Sequence, residues 1–208
     1  AKLDETDVPD IIIKACAASG FSAGQPAAVQ KLDIVSETLP LTVIDTNDAG
    51  VRTRLYVYSS FDAGVNRLDI EGRLPEAEGE ILTERHGNET EAYETGDTIT
   101  VFGLPYTVVG IVSNPMIFDR LGEPDMTGEG VLERIVYFSS AHFFADVPVT
   151  DLYVRLAGLG ARDFFSEAYY EAVEACAATI ASSLGDGFVF LTMRDNKSVV
   201  MTDMYCDK

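Results

Sequence analysis

The chain has 208 residues, 47% hydrophobic and 24% charged, enough to bury a core as one large domain or two small ones. Its 34 acidic residues against 15 basic give a formal net charge of −19. Such a surface repels phosphate backbones, which argues against nucleic acid and against docking on anionic lipid through a basic patch.

The sequence contains no run of about 18 apolar residues that could cross a bilayer, and no secretory leader is visible. The chain opens "AKLDE" without an initiating Met, compatible with processing or with excision from something larger. The three cysteines, Cys16, Cys176 and Cys206, imply no disulfide framework, and buried free thiols are the expectation. A single bridge between Cys16 and Cys176 is the alternative. With two histidines and no C-x-x-C, a structural zinc site is not expected.

In chain order, "DIIIKAC" is a short apolar run suited to a buried strand. "AAVQKL" continues a helix opened near Ser22. "ETLPLTVIDT" and "VRTRLYVYS" alternate across "TNDAG" and read as a hairpin, with Leu41 and Val43 facing opposite to Thr42 and Ile44. From Asn66 to about Ser140 the signals are short strands. Thr98–Phe102 and Tyr106–Val112 are joined by "GLP", and "VLERIVYFSS" is a further strand. "DLYVRLAG" is again a strand. A helix follows, with Phe165, Tyr169, Val173, Cys176, Ile180 and Leu184 near one face, ended by Gly185 and Gly187. "FVFLT" closes the pattern as a strand.

The expected fold class is α+β. Two β-α-β halves form one antiparallel or mixed sheet with helices on one face, and a β-rich subdomain is inserted between them. The halves are residues 1–65 and 141–208, and the insert is 66–140.

"GFSAG", Gly20 to Gly24, fits the G-x-S-x-G pattern of a hydrolase nucleophile, with His86 and His142 as the possible partners of Ser22. Only about 20 residues precede Ser22, too few for the β-α units that come before such an elbow. Ser22 and Gln25 also match S-x-x-Q, a capping box, with Phe21 as a staple and Pro26 in the first turn. The cap is the preferred reading. No phosphate-binding glycine loop is present. Glu123, Asp125, Glu129 and Glu133 lack calcium-loop spacing and read as a solvated loop. Glu84, His86, Glu89 and Glu91 read as a polar loop rather than a metal site. Asn88 and Asn196 head N-x-[ST] triplets that mean little alone. No catalytic, cofactor-binding or metal-binding residue is assigned, and no cofactor is expected. Asn114–Gly130 is the first place to look for a binding surface.

The middle segment carries "EGRLP" (Glu71–Pro75), "GEIL" (Gly79–Leu82), "GDTITV" (Gly96–Val101) and "YTVVGIV" (Tyr106–Val112) in that order. Gly72 and Pro75 shape a turn, and Gly110 inside a strand suggests a bulge or a close backbone approach. This run resembles the MacB-like periplasmic core, the extracytoplasmic domain of FtsX/MacB-type ABC transporter permeases. The flanking halves look like its porter-like subdomain. The end, "LTMRDNKSVVMTDMYCDK", is similar to the lipoprotein-release-type branch.

The resemblance implies a non-enzymatic domain on the extracytoplasmic side of the cell membrane. It would be tethered at both ends, with residues 1 and 208 on one side of the fold. It would couple ATP-driven transmembrane motion to substrate export or signalling. The implied partners are a cytoplasmic ABC ATPase, a second permease protomer, and a lipoprotein, peptide or toxin as substrate. The alternatives are a secreted serine hydrolase using Ser22 and a free-standing extracellular binding module.

Overall fold

The computed structural model describes residues 7–85, 93–117, 126, 130–159, 164 and 166–195. Among them are ten strands, parallel and antiparallel, and two α-helices, an α+β fold. The chain divides into two compact units. The first holds Ala1–Pro40, Ala63–Asn66 and Pro148–Lys208, and the second holds Leu41–Asp62 and Arg67–Val147. Residues 1 and 208, the terminal tethers of the sequence reading, lie outside the described residues, as do Cys206, Asn88 and Asn196.

The first unit contains β1 (Ile11–Ala15), α1 (Gln25–Gln30), the start of β2 (Val35–Asp48), β9 (Asp151–Leu156), α2 (Glu167–Leu184) and β10 (Phe188–Thr192). Its strand order is β10-β1-β9-β2, the ferredoxin-like arrangement of two split β-α-β units. β1 runs antiparallel to both neighbours, with Ile11 opposite Thr192 and Val154, and Ile13 opposite Phe190 and Leu152. Ile11, Ile13, Leu152 and Val154 are fully buried because side chains two apart on a strand share one face.

The two helices touch one another over one face of this sheet. Tyr169, Tyr170, Val173 and Ile180 of α2 are buried, whereas Cys176 and Leu184 are half-buried and Phe165 lies outside the described residues. Tyr170 was not on the expected stripe. Its ring carries the guanidinium of Arg194 at 3.9 Å. Ser166 caps α2 by accepting a hydrogen bond from the Tyr169 N–H at 3.3 Å, and Gly185 (φ 78) ends it. Asp10, just before β1, is fully buried. It accepts from the Leu156 N–H and the Tyr169 O–H, both at 2.8 Å, tying β9 and α2 to the start of β1. Cys16 is free and exposed, contrary to the buried thiol expected, because β1 ends at Ala15. Cys176 is free as well.

The second unit contains the rest of β2, β3 (Val51–Tyr58), β4 (Asp69–Gly72), β5 (Glu80–Glu84), β6 (Thr98–Val101), β7 (Leu104–Ser113) and β8 (Arg134–Ser139). Their order is β2-β3-β8-β5-β7-β4, with β6 also on β7. The β2–β3 hairpin belongs here, although the sequence reading counts it within 1–65. The reason is that β3 pairs in parallel with β8 and buries Leu55 and Val57 beside Val136 and Phe138. The opposite face of β3 is also covered by Tyr56 and Tyr58, so alternation here separates two buried faces rather than core from solvent. Likewise Leu41, Thr42 and Val43 are all buried.

The β6–β7 turn is Phe102–Gly103, with Val101 paired to Leu104. It therefore starts one residue before the expected "GLP" and shares only Gly103 with it, and Pro105 lies within β7 opposite Thr100.

Gly72 and Gly110 sit where backbones approach closely, whereas a Cβ on Gly79 or Gly96 would meet nothing within 4 Å. Gly72 of β4 pairs with Gly110 of β7. A Cβ on Gly72 would lie 2.6 Å from the Val109 oxygen and 2.8 Å from the Gly110 Cα. One on Gly110 would lie 2.9 Å from the Arg73 oxygen and 3.1 Å from that of Glu71. On the other edge of β7 the register slips. Ile81 faces Val108 and Leu82 faces Gly110, leaving Val109 as the extra residue of a bulge.

The first two motifs are clasped together. Arg73 of "EGRLP" pairs with Glu80 of "GEIL", donating to Oε2 at 2.7 Å, and the Glu76 N–H donates to the same oxygen at 2.9 Å. These contacts, the Arg73 hydrogen bond first, lower the Glu80 carboxyl from the usual 4.5 to about 2. A depressed folded value means the clasp contributes fully above the unfolded carboxyl range and is lost as pH falls from about 4.5 towards 2. Carboxyl-resolved NMR titration should place the Glu80 midpoint near 2 in the parent and move it up towards 4.5 in Arg73→Gln. An unchanged midpoint in the variant would contradict the clasp.

Candidate functional site

The G-x-S-x-G stretch is a backbone device. Gly20 (φ 66) is pressed on the next segment so closely that a Cβ would lie 2.2 Å from the Val149 oxygen, and Phe21 N–H donates to that oxygen at 2.8 Å. Phe21 is buried with its ring 4.8 Å from that of Phe188 on β10, so it anchors the loop to the sheet. α1 begins at Gln25, with Gly24 (φ 96) at the N-cap and Pro26 in the first turn. Ser22 is therefore not the cap, a correction to the sequence reading. Only the reciprocal half of the box is present: Gln25 Oε1 accepts from the Ser22 N–H at 2.7 Å. The cap moved because Gly24 adopts the left-handed turn that places Pro26 at a position needing no N–H.

Of the two histidines, His142 ends the 3-10 turn Ser140–His142 in the second unit, and His86 lies outside the described residues. Glu89 and Glu91, and Glu123, Asp125 and Glu129, also lie outside them. Among the described residues no group of three His, Cys, Asp or Glu side chains is placed to hold a metal ion. Within Asn114–Gly130, the described residues are 114–117, 126 and 130. Met126 there is exposed, and its N–H donates to Asp45 Oδ2 at 2.7 Å.

The second unit has a buried polar centre at Glu84, which the sequence reading placed in a polar loop with His86, Glu89 and Glu91 and which instead ends β5. Glu84, the last residue of β5, is buried. Its Oε1 accepts from the Asn114 N–H at 3.0 Å and its Oε2 accepts from the Tyr137 O–H. Asn114 Nδ2 donates to the Tyr137 hydroxyl at 3.2 Å, and Asn114 Oδ1 accepts from the Met116 N–H at 2.9 Å. The Tyr137 ring stacks on Tyr56 at 5.2 Å. Burial first, then the Glu84 charge, pushes the Tyr137 hydroxyl well above the ordinary tyrosine value, so it stays a proton donor. The carboxylate is thereby committed to fixing the chain where it leaves β7. The available signal was the run "ILTE", buried on both faces of β5, in which a glutamate needs partners.

Beside it lies a cavity of about 490 Å3, lined by Glu71, Glu84, Arg85, Tyr93, Glu94 and Ile111, among others. Arg85 and Glu71 form an ion pair at its wall. Among the described residues the lining offers carboxylates, the Arg85 guanidinium and the hydroxyls of Tyr93 and Thr95.

No protein-family model matches the chain, and no curated protein matches it in sequence. Among solved structures it is similar to the extracellular domain of the noncanonic ABC-type transporter YknZ from Gram-positive bacteria. The TM-score is 0.52 at 12% identity, over 88% of this chain and 99% of that one. The chain has the fold of that extracellular domain. No helix among the described residues is long and apolar enough to cross a membrane.

Because the Ser22 side chain neither caps α1 nor defines its start, Ser22→Ala should change stability by less than about 0.5 kcal/mol. A fluorophosphonate probe should leave the parent protein unlabelled. Labelling of the parent that is lost in Ser22→Ala would restore the nucleophile reading.

Proposed function

We propose that this chain is the extracytoplasmic domain of an FtsX/MacB-type ABC transporter permease, non-enzymatic, and of the lipoprotein-release-like branch. The observation that carries this reading is the shared fold, which spans nearly the whole of a transporter extracellular domain despite 12% identity. Support comes from three of the four motifs, since Gly72 of "EGRLP" packs on Gly110 of "YTVVGIV" and Arg73 pairs with Glu80 of "GEIL"; "GDTITV" joins β7 further along, through β6.

In this reading ATP hydrolysis belongs to a cytoplasmic ABC ATPase, and membrane helices outside this segment carry the motion to it. The domain then moves a substrate (a lipoprotein, peptide or toxin) or a signal on the outer side. The two-helix α/β unit serves as a lever, and a second permease protomer completes the assembly.

Exposed Cys16 provides the test. In protoplasts expressing the full-length protein with Cys176→Ser and Cys206→Ser, a membrane-impermeant maleimide should label Cys16 without permeabilisation, and adding Cys16→Ser should abolish labelling of this domain. Labelling that requires permeabilisation would place the domain inside the cell and contradict the proposal.

A further inference from the structure

The sheet of the first unit ends at β10, which pairs with β1 and with no other described strand. The register of that pair runs on past the strand, where the Cys16 N–H donates to the Gly187 oxygen at 2.9 Å. Bonded positions alternate in an antiparallel pair, so Val189 and Leu191 exchange their bonds with Lys14 and Ile12. Phe188, Phe190 and Thr192 therefore aim their N–H and C=O groups away from β1. The Thr192 N–H is taken within the chain, by Asp195 Oδ2 at 2.6 Å. The peptide groups of Phe188 and Phe190 that face outward have no partner among the described residues.

Nothing in β10 blunts this edge. Phe188–Thr192 has no charge, no proline and no bulge, the devices by which an edge strand ordinarily refuses a neighbour. Among the described residues, Val189 is the one exposed large apolar side chain of the first unit, at 46%. It lies midway between the two open residues.

An open edge of this kind takes an extended polypeptide, and the placing of the open groups chooses which one. They are symmetric about Val189. A second β10, turned by a two-fold axis through that position, sets Phe188 opposite the partner's Phe190 and Phe190 opposite the partner's Phe188. Each open N–H then meets an open C=O with none left over. The ladder stops at Thr192, where Asp195 already holds the N–H. The two Val189 side chains meet on the axis as a close, non-hydrogen-bonded pair. We infer that β10 is an interface for a second copy of this chain, which joins two sheets into one across a two-fold axis.

A five-residue edge is short of the roughly 1,200 Å2 that a stable complex buries. Each copy also carries a net charge of −19, with Asp186 and Asp195 flanking the strand. The contact is therefore weak, and it tightens as salt screens the repulsion. It rests on the first unit alone and not on the transporter reading.

Amide hydrogen exchange of the whole chain, in dilute and in concentrated solution, tests the inference. Exchange at Phe188 and Phe190 should slow as the protein is concentrated, and slow further with added salt. Val189→Lys should abolish that dependence, while slow exchange at the residue 189 and Leu191 amides reports that β10 still pairs with β1. In a chain carrying Cys16→Ser, Cys176→Ser and Cys206→Ser, Val189→Cys should form a disulfide-linked dimer several-fold faster than Val131→Cys, which is as exposed but lies in the other unit. Exchange at Phe188 and Phe190 that is fast at every concentration would overturn the inference. Slow exchange there at every concentration would assign the edge to residues 196–208 of the same chain and overturn it as well. So would equal crosslinking rates at the two positions.

Discussion

β4 and β7 pair at Gly72 and Gly110, where neither position has room for a Cβ beside the other strand. The second unit depends on that approach. The crossing brings the Gly72–Glu80 turn back on itself so that Arg73 meets Glu80. It coincides with the bulge at Val109, which lets β7 serve β4 on one edge and β5 on the other. β5 in turn delivers Glu84 to Asn114 and Tyr137. Removing the close contact would disturb the register of three strands together, since a slip of one residue exchanges the two faces of a strand.

This explains why short motifs, each weak alone, were informative as an ordered set. A glycine that faces another backbone, an arginine that closes a turn and a glutamate that answers it are constrained by one another. The remainder of the α+β fold was legible for a different reason. Ile11 and Ile13 in β1, and Leu152, Val154 and Leu156 in β9, alternate because one sheet face is covered by helices. The spacing of Tyr169, Val173 and Ile180 likewise follows from the face that α2 turns to the sheet.

Tyr170, three residues before Val173, shares the buried face of α2, and the expected stripe left it out by following only the Tyr169 row. Other features were hidden by tertiary context. The β2–β3 hairpin looked like part of the terminal halves because its partner β8 follows about 80 residues later, and parallel pairing leaves no local turn signal. The Phe102–Gly103 turn was misplaced because phenylalanine is a poor turn former. The G-x-S-x-G pattern was ambiguous because the glycines a nucleophile elbow needs are also those a tight loop against Val149 needs. Glu84 was read as a polar-loop residue because its partners, Asn114 and Tyr137, come from two other segments of the chain.

The central claim is that the motif residues form one packed junction rather than a chance run of glycines. Equilibrium urea unfolding of Gly110→Ala, with amide hydrogen exchange along β7, tests it most directly. The account expects a loss of about 1–3 kcal/mol, as for overpacking of a close-packed interior, with faster exchange at the Val108 and Val112 amides and in β4. A variant with the parent's urea midpoint and unchanged exchange in β7 would contradict it.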